Sequence, residues 1–136
     1  MKDLFEGIYN HFSTTPASSF YTAVGGRMWL EQAPEGTKFP YATYGVVNEA
    51  HDWNFSANYE DVLLDFNLYA DDELEVSTLY NKLKEAYDDS PFVVANHSNV
   101  KFRRENAMLT VDPNVIPNMN VWQYTISYRC LLREST

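Results

Sequence analysis

The sequence is poor in the residues that usually announce a chemistry. Its one cysteine, Cys130, cannot close an internal disulfide, so packing must hold the fold, and synthesis in a reducing compartment is expected. The three histidines, His11, His51 and His97, fall in unrelated segments, and neither a His-x-x-x-His nor a Cys-x-x-Cys spacing occurs. No metal and no other cofactor is therefore expected. Gly25-Gly26-Arg27 lacks the spacing of a phosphate-binding glycine loop and follows a helical pattern rather than a strand, which makes it a helix stop. No apolar run approaches the roughly 20 residues of a bilayer span, and Asp3 and Glu6 interrupt any signal-like segment, so a soluble protein without membrane contact is expected. Without a secretion route, the Asn-x-Ser triplets at Asn54 and Asn96 are expected to stay unmodified. Positive charge is scarce as well: ten basic against nineteen acidic residues leave a net charge of −9, which repels phosphates and argues against wrapping nucleic acid.

What is present is the material of one core. A chain of 136 residues fits a single domain spanning 1–136, and a domain of this size buries about two-thirds of its unfolded surface. Apolar residues make up 45% and charged residues 21%, within the globular range, and no repeat, low-complexity tract or linker marks a second unit. Ten Tyr, eight Phe and three Trp mean that large rings on extended strands supply much of the buried area.

Periodicity divides the chain into elements. Leu4, Phe5, Ile8, Tyr9 and Phe12 recur at helical spacing from Asp3 to about Phe12; Gly7 weakens this helix, which must dock to survive. After Ser13-Thr14-Thr15-Pro16 a short second helix is predicted towards Val24, ended by Gly25-Gly26. Strands are predicted over Arg27 to Gln32 and Tyr41 to about Asn48, with Ala50 to Asn58 as a long hairpin loop. The clearest strand is Tyr59 to Tyr69, in which Val62, Leu64, Phe66 and Leu68 alternate with Asp61, Leu63, Asp65 and Asn67. Asp72 and Glu75 open a helix whose apolar stripe is Val76, Leu79, Tyr80, Leu83, Ala86 and Tyr87. A strand from Val100 to about Val111, a loop over Asp112 to Asn118 and a last strand carrying Trp122, Tyr124, Ile126, Tyr128, Cys130 and Leu132 on one side complete the chain. The class is α+β: an antiparallel β-sheet with an N-terminal helix and one longer helix packed on one face.

No catalytic constellation stands out. Cys130 lies on an apolar strand side with nothing to mark its base. The acidic cluster Asp71 to Glu75 complements a helix dipole and lacks the glycine of a calcium loop. Alternation puts Lys101, Arg103, Arg129 and Arg133 on solvent-side strand positions, and Asp61 and Asp65 on the corresponding side of the middle strand. Such residues serve either as ordinary cross-strand ion pairs or as charged contacts between copies of the chain. Trp53 and Phe55 in one loop, and Val115, Ile116 and Met119 in another, are apolar where no core face is evident; they either fold back as local plugs or form a partner surface.

The order of several motifs is familiar. Gly25-Gly26-Arg27-Met28-Trp29, Ala33-Pro34, Phe39-Pro40-Tyr41, the strand Val62 to Ala70, a helix with Leu79 and Leu83, and a final Trp122 strand ending Tyr128-Arg129-Cys130 together resemble the tail-completion, or tail-terminator, proteins of long-tailed bacteriophages and prophages. The resemblance spans nearly the whole chain. It departs from the family pattern in the aromatic loop Ala50 to Asn58 and in the Asp112 to Asn120 loop with its two prolines. It implies a subunit, made in the host bacterial cytoplasm and resident in the virion tail, that forms a hexameric ring on the head-proximal end of the tail tube. There it would stop tube polymerisation and dock to the neck. The implied partners are further copies of itself, the tail tube protein and a neck or head-completion protein, with DNA passing through but not tightly bound. It implies no enzymatic activity. Two rival readings are a head-completion protein on the portal side and a small-ligand-binding α+β domain.

Overall fold

The computed structural model describes residues 2–14, 18–53, 58–88, 94–116 and 119–134. Helix α1 runs Lys2–Ser13 and buries Leu4, Ile8 and Phe12, the four-residue spacing that lines one helical face. Helix α2, Ser18–Ala23, stops where Gly25 and Gly26 take positive φ and the Gly26 N–H donates back to the Tyr21 carbonyl at 2.9 Å. Five strands follow: β1 (Met28–Leu30), β2 (Tyr41–Trp53), β3 (Asn58–Ala70), β4 (His97–Ile116) and β5 (Met119–Glu134), with helix α3 (Glu73–Tyr87) between β3 and β4. The Asp72 carboxylate accepts the Glu75 N–H at 3.3 Å and caps α3, as the acid-rich start of that segment predicts.

The strands form one sheet in the order β1-β2-β3-β5-β4. Every pairing is antiparallel except the first, in which Met28 and Leu30 of β1 lie parallel to Ala42 and Tyr44 of β2. The sheet is therefore mixed. A strand of three residues has too few positions for periodicity to carry its direction, which is decided by where the 31–40 connection returns the chain.

Two expected loops are largely strand. Residues 50–53 and 58 belong to β2 and β3, paired from Ala50 with Asp61 out to Trp53 with Asn58, and the remainder of the predicted Ala50 to Asn58 loop, 54–57, lies outside the described residues. Residues 112–116 likewise continue β4, with Asp112 opposite Val121 and Ile116 opposite Met119. In both cases the backbone ladder of the neighbouring strand holds a segment whose mixed side chains show no alternation, and a reading based on side chains cannot see that ladder. The short apolar piece expected at Phe92 to Ala95 falls mostly outside the described residues; Val94 is buried.

The core lies between the helices and one sheet face. From β3 come Val62, Leu64, Phe66, Leu68 and Ala70, all at 0% exposure, and from β5 come Ile126, Tyr128, Cys130 and Leu132. Phe66 sits among the rings of Tyr44, Tyr87, Phe102 and Tyr128, at centroid distances of 4.8 to 6.3 Å. Two polar ties fix α1 to α3: the Tyr87 hydroxyl donates to the Ile8 carbonyl at 2.9 Å, and His11 Nε2 donates to the Ala86 carbonyl at 2.6 Å. Each buried side chain of this size contributes about 1.5 to 3 kcal/mol, which offsets the marginal propensity of the glycine-containing α1.

Candidate assembly surfaces

All three helices pack on one side of the sheet, and among the described residues nothing covers the other side. The strand alternation that buries Val62, Leu64 and Phe66 turns Asp61, Leu63, Asp65, Asn67 and Tyr69 onto this open face, joined from β5 by Gln123, Thr125, Ser127 and Arg129. These side chains satisfy one another. Asn67 Oδ1 accepts from Thr125 Oγ1 at 2.8 Å and from Gln123 Nε2 at 3.0 Å, and Asp65 Oδ1 accepts from Ser127 Oγ at 2.6 Å. Beside this polar ladder, Tyr41 stacks on Tyr69 at 4.7 Å and on Phe39 at 5.5 Å, with Trp29 edge-on at 6.3 Å.

The charged candidates separate into bound and unbound groups. Arg129 reaches diagonally across two strands, with Nη1 donating to Asp61 at 2.7 Å and Nε donating to Glu105 at 3.1 Å, so three strands are joined at one guanidinium. The hydrogen bond and charge of Asp61, followed by those of Glu105, push the Arg129 pKa further up. The second Asp61 oxygen, Oδ1, is shielded from solvent without a hydrogen-bond partner among the described residues. Burial, helped by the Asp61 charge, lifts the Cys130 thiol to about 12, so it is a neutral core atom at physiological pH. Arg103 lies directly opposite Arg129 on β4, exposed, with no ion-pair partner among the described residues. Its neighbour Arg104 turns to the helix side, donating to the Tyr80 hydroxyl at 3.0 Å and pairing with Asp88 at 3.4 Å. Arg133 is half-buried near the end of β5, opposite Tyr59 and Ser98.

The apolar candidates lie at the two ends of the sheet. Trp53 closes β2 at the end where Tyr59 pairs with Arg133, and Phe55 lies outside the described residues. Val115, Ile116 and Met119 lie at the opposite end, past the Ala70–Trp122 pair where β3 stops. Sequence reasoning missed a third surface. Phe5 and Tyr9 of α1, with Leu30 of β1 and Tyr44 of β2, line an open, largely apolar groove of about 560 Å³ at the β1 edge. The signal was the width of the α1 stripe, since Phe5 and Tyr9 exceed what the Leu4, Ile8 and Phe12 face needs to pack on the core.

Among the described residues no group of three or more His, Cys, Asp or Glu side chains could hold a metal ion, and no helix is long and apolar enough to cross a membrane. A mixed sheet backed by helices, bare on its other face among the described residues and ending in two opposed hairpins, is an α+β body whose distinctive features are contact surfaces. Residues 6–131 match the family of tail completion protein gp17, and the chain belongs to that family of phage tail completion proteins. No curated protein matches it. Among solved structures it is similar to a chain of the virion of a native gene transfer agent particle, with a TM-score of 0.76 and 11% identity over 94% of this chain and 92% of that one. At that identity the likeness shows a shared fold. The chain is thus a structural protein of the phage virion, associated with completion of the tail.

Proposed function

We propose that the protein caps the head-proximal end of the tail tube as a ring of copies, six by the family pattern, ends tube polymerisation and presents the surface that joins the head. It does so by contact alone, without catalysis. The observation that carries this reading is the arrangement of the two hairpins. The paired ends Trp53–Asn58 of β2–β3 and Ile116–Met119 of β4–β5 lie at opposite ends of one sheet, so a single subunit offers different surfaces above and below. The two sheet edges also differ, with short β1 on one side and long β4 on the other, as a head-to-tail contact that closes into a ring requires. The family match and the fold shared with a virion chain support the same role. A wall of copies each carrying −9 would let DNA slide past without holding its phosphates.

The test is to mix the purified protein with tail tubes made without heads and to follow mass in solution and negative-stain images. The expected result is ring-shaped density at one tube end and arrest of further growth. A strict monomer that leaves tubes uncapped overturns the reading, and capture by isolated heads but not by tails transfers the role to the portal side.

A further inference from the structure

The β4–β5 hairpin outruns the sheet that supports it. The last β3–β5 pair is Ala70 with Trp122, yet β4 and β5 continue to pair with each other through Asp112–Val121 and Ile116–Met119. This extension is a two-stranded ribbon without a third strand, and such ribbons are marginal in water unless something covers them. Its composition is unlike the rest of the chain. Beyond Asp112 at its base, the extension from 113 to 121 holds no charged residue, although 21% of the protein is charged, and it carries Val115, Ile116 and Met119.

The groove at the other edge is its chemical counterpart. Its floor is Phe5, Tyr9, Leu30 and Tyr44, with Tyr9 and Leu30 each 42% exposed, and its rim charges cancel because Lys2 pairs with Glu6 at 3.8 Å. In a chain of net charge −9, contact between copies meets least repulsion where the surface carries no net charge, and the ribbon beyond Asp112 and the groove are two such patches. A ribbon cannot fill the groove of its own chain: β2 and β3 lie between β1 and β5, three strand spacings or on the order of 14 Å, and the ribbon leaves the sheet lengthwise.

We propose that the β4–β5 ribbon of one copy seats in the α1–β1 groove of a second copy. This contact joins two different patches, so it can repeat head to tail from copy to copy, as a ring requires. The inference rests on the ring reading and adds to it the surfaces that meet.

The test pairs Leu30→Cys with Ile116→Cys in one chain, assembled with tail tubes under mild oxidation and run on a non-reducing gel. Native Cys130 is fully buried and does not compete. The expected result is a ladder of linked copies ending at the ring number, absent from either single variant. In parallel, Ile116→Asp should weaken association at least about tenfold, as a charge placed in an apolar contact does, and Leu30→Arg in the same chain should restore it. Rings that assemble normally while the double-cysteine chain shows no ladder beyond the single variants overturn this contact and leave the ring standing. A chain that forms no oligomer on tubes overturns both.

Discussion

Leu63 and Leu64 are adjacent, chemically identical and on opposite faces of β3, so truncating each in turn isolates the effect of the face. Leu64 is 0% exposed beneath the helices, whereas Leu63 is half-buried on the open side, opposite Arg129. Leu64→Ala removes buried atoms and leaves a cavity in a packed core, a change that costs about 2 to 5 kcal/mol. Leu63→Ala deletes the same atoms where part of the area already meets water and no closed cavity forms; at about 25 cal/mol per Å² of apolar area, the loss is about 1 kcal/mol. The gap of about 1 to 4 kcal/mol changes the folding equilibrium by roughly fivefold to nearly a thousandfold, a large share of the stability of a domain this size. Equilibrium urea unfolding followed by Trp fluorescence, with the denaturant slope unchanged, measures both values directly. Equal losses would refute the one-sided burial of β3. A larger loss at Leu63 would mean that the register is shifted by one residue, because such a slip exchanges the two faces completely.

Asp72→Ala should lower stability by about 1 kcal/mol through loss of the α3 cap, and Asp72→Ser should retain most of it, measured by thermal or urea unfolding. The Cys130 thiol has its pKa raised from 9.0 to about 12 in the fold, so the stability from keeping it neutral is whole below pH 9 and is lost as pH rises towards 12. The stability of the wild type relative to Cys130→Val should fall by up to about 1.4 kcal/mol per pH unit in that window, and a flat difference would contradict the burial. Arg129→Glu places a third carboxylate beside Asp61 and Glu105 and should lower the melting temperature. Arg103→Glu should hold or slightly raise it, because an exposed arginine directly opposite Arg129 gives way to an acid facing that arginine, while its assembly on tail tubes weakens. Equal melting of the two variants would mean that the three-strand bridge is not formed.

The sequence alone determined the elements whose pattern repeats many times. The alternation from Asp61 to Leu68 and the stripe Val76, Leu79, Leu83, Ala86 and Tyr87 both face the core, because burying apolar side chains on one side is the strongest constraint on a local segment. The order of short motifs likewise carried the family. Tertiary structure decided what depends on partners distant in the chain. The parallel seating of β1, the extension of β2 and β4 through polar residues, and the meeting of Phe5 and Tyr9 with Leu30 and Tyr44 all follow from which backbone lies alongside. Charge followed the same division. Alternation placed Asp61 and Arg129 on one face, but only the β3-β5-β4 order made Arg129 a bridge to Glu105 and left Arg103 exposed, since an ion pair is defined by distance in space and not by position in the chain.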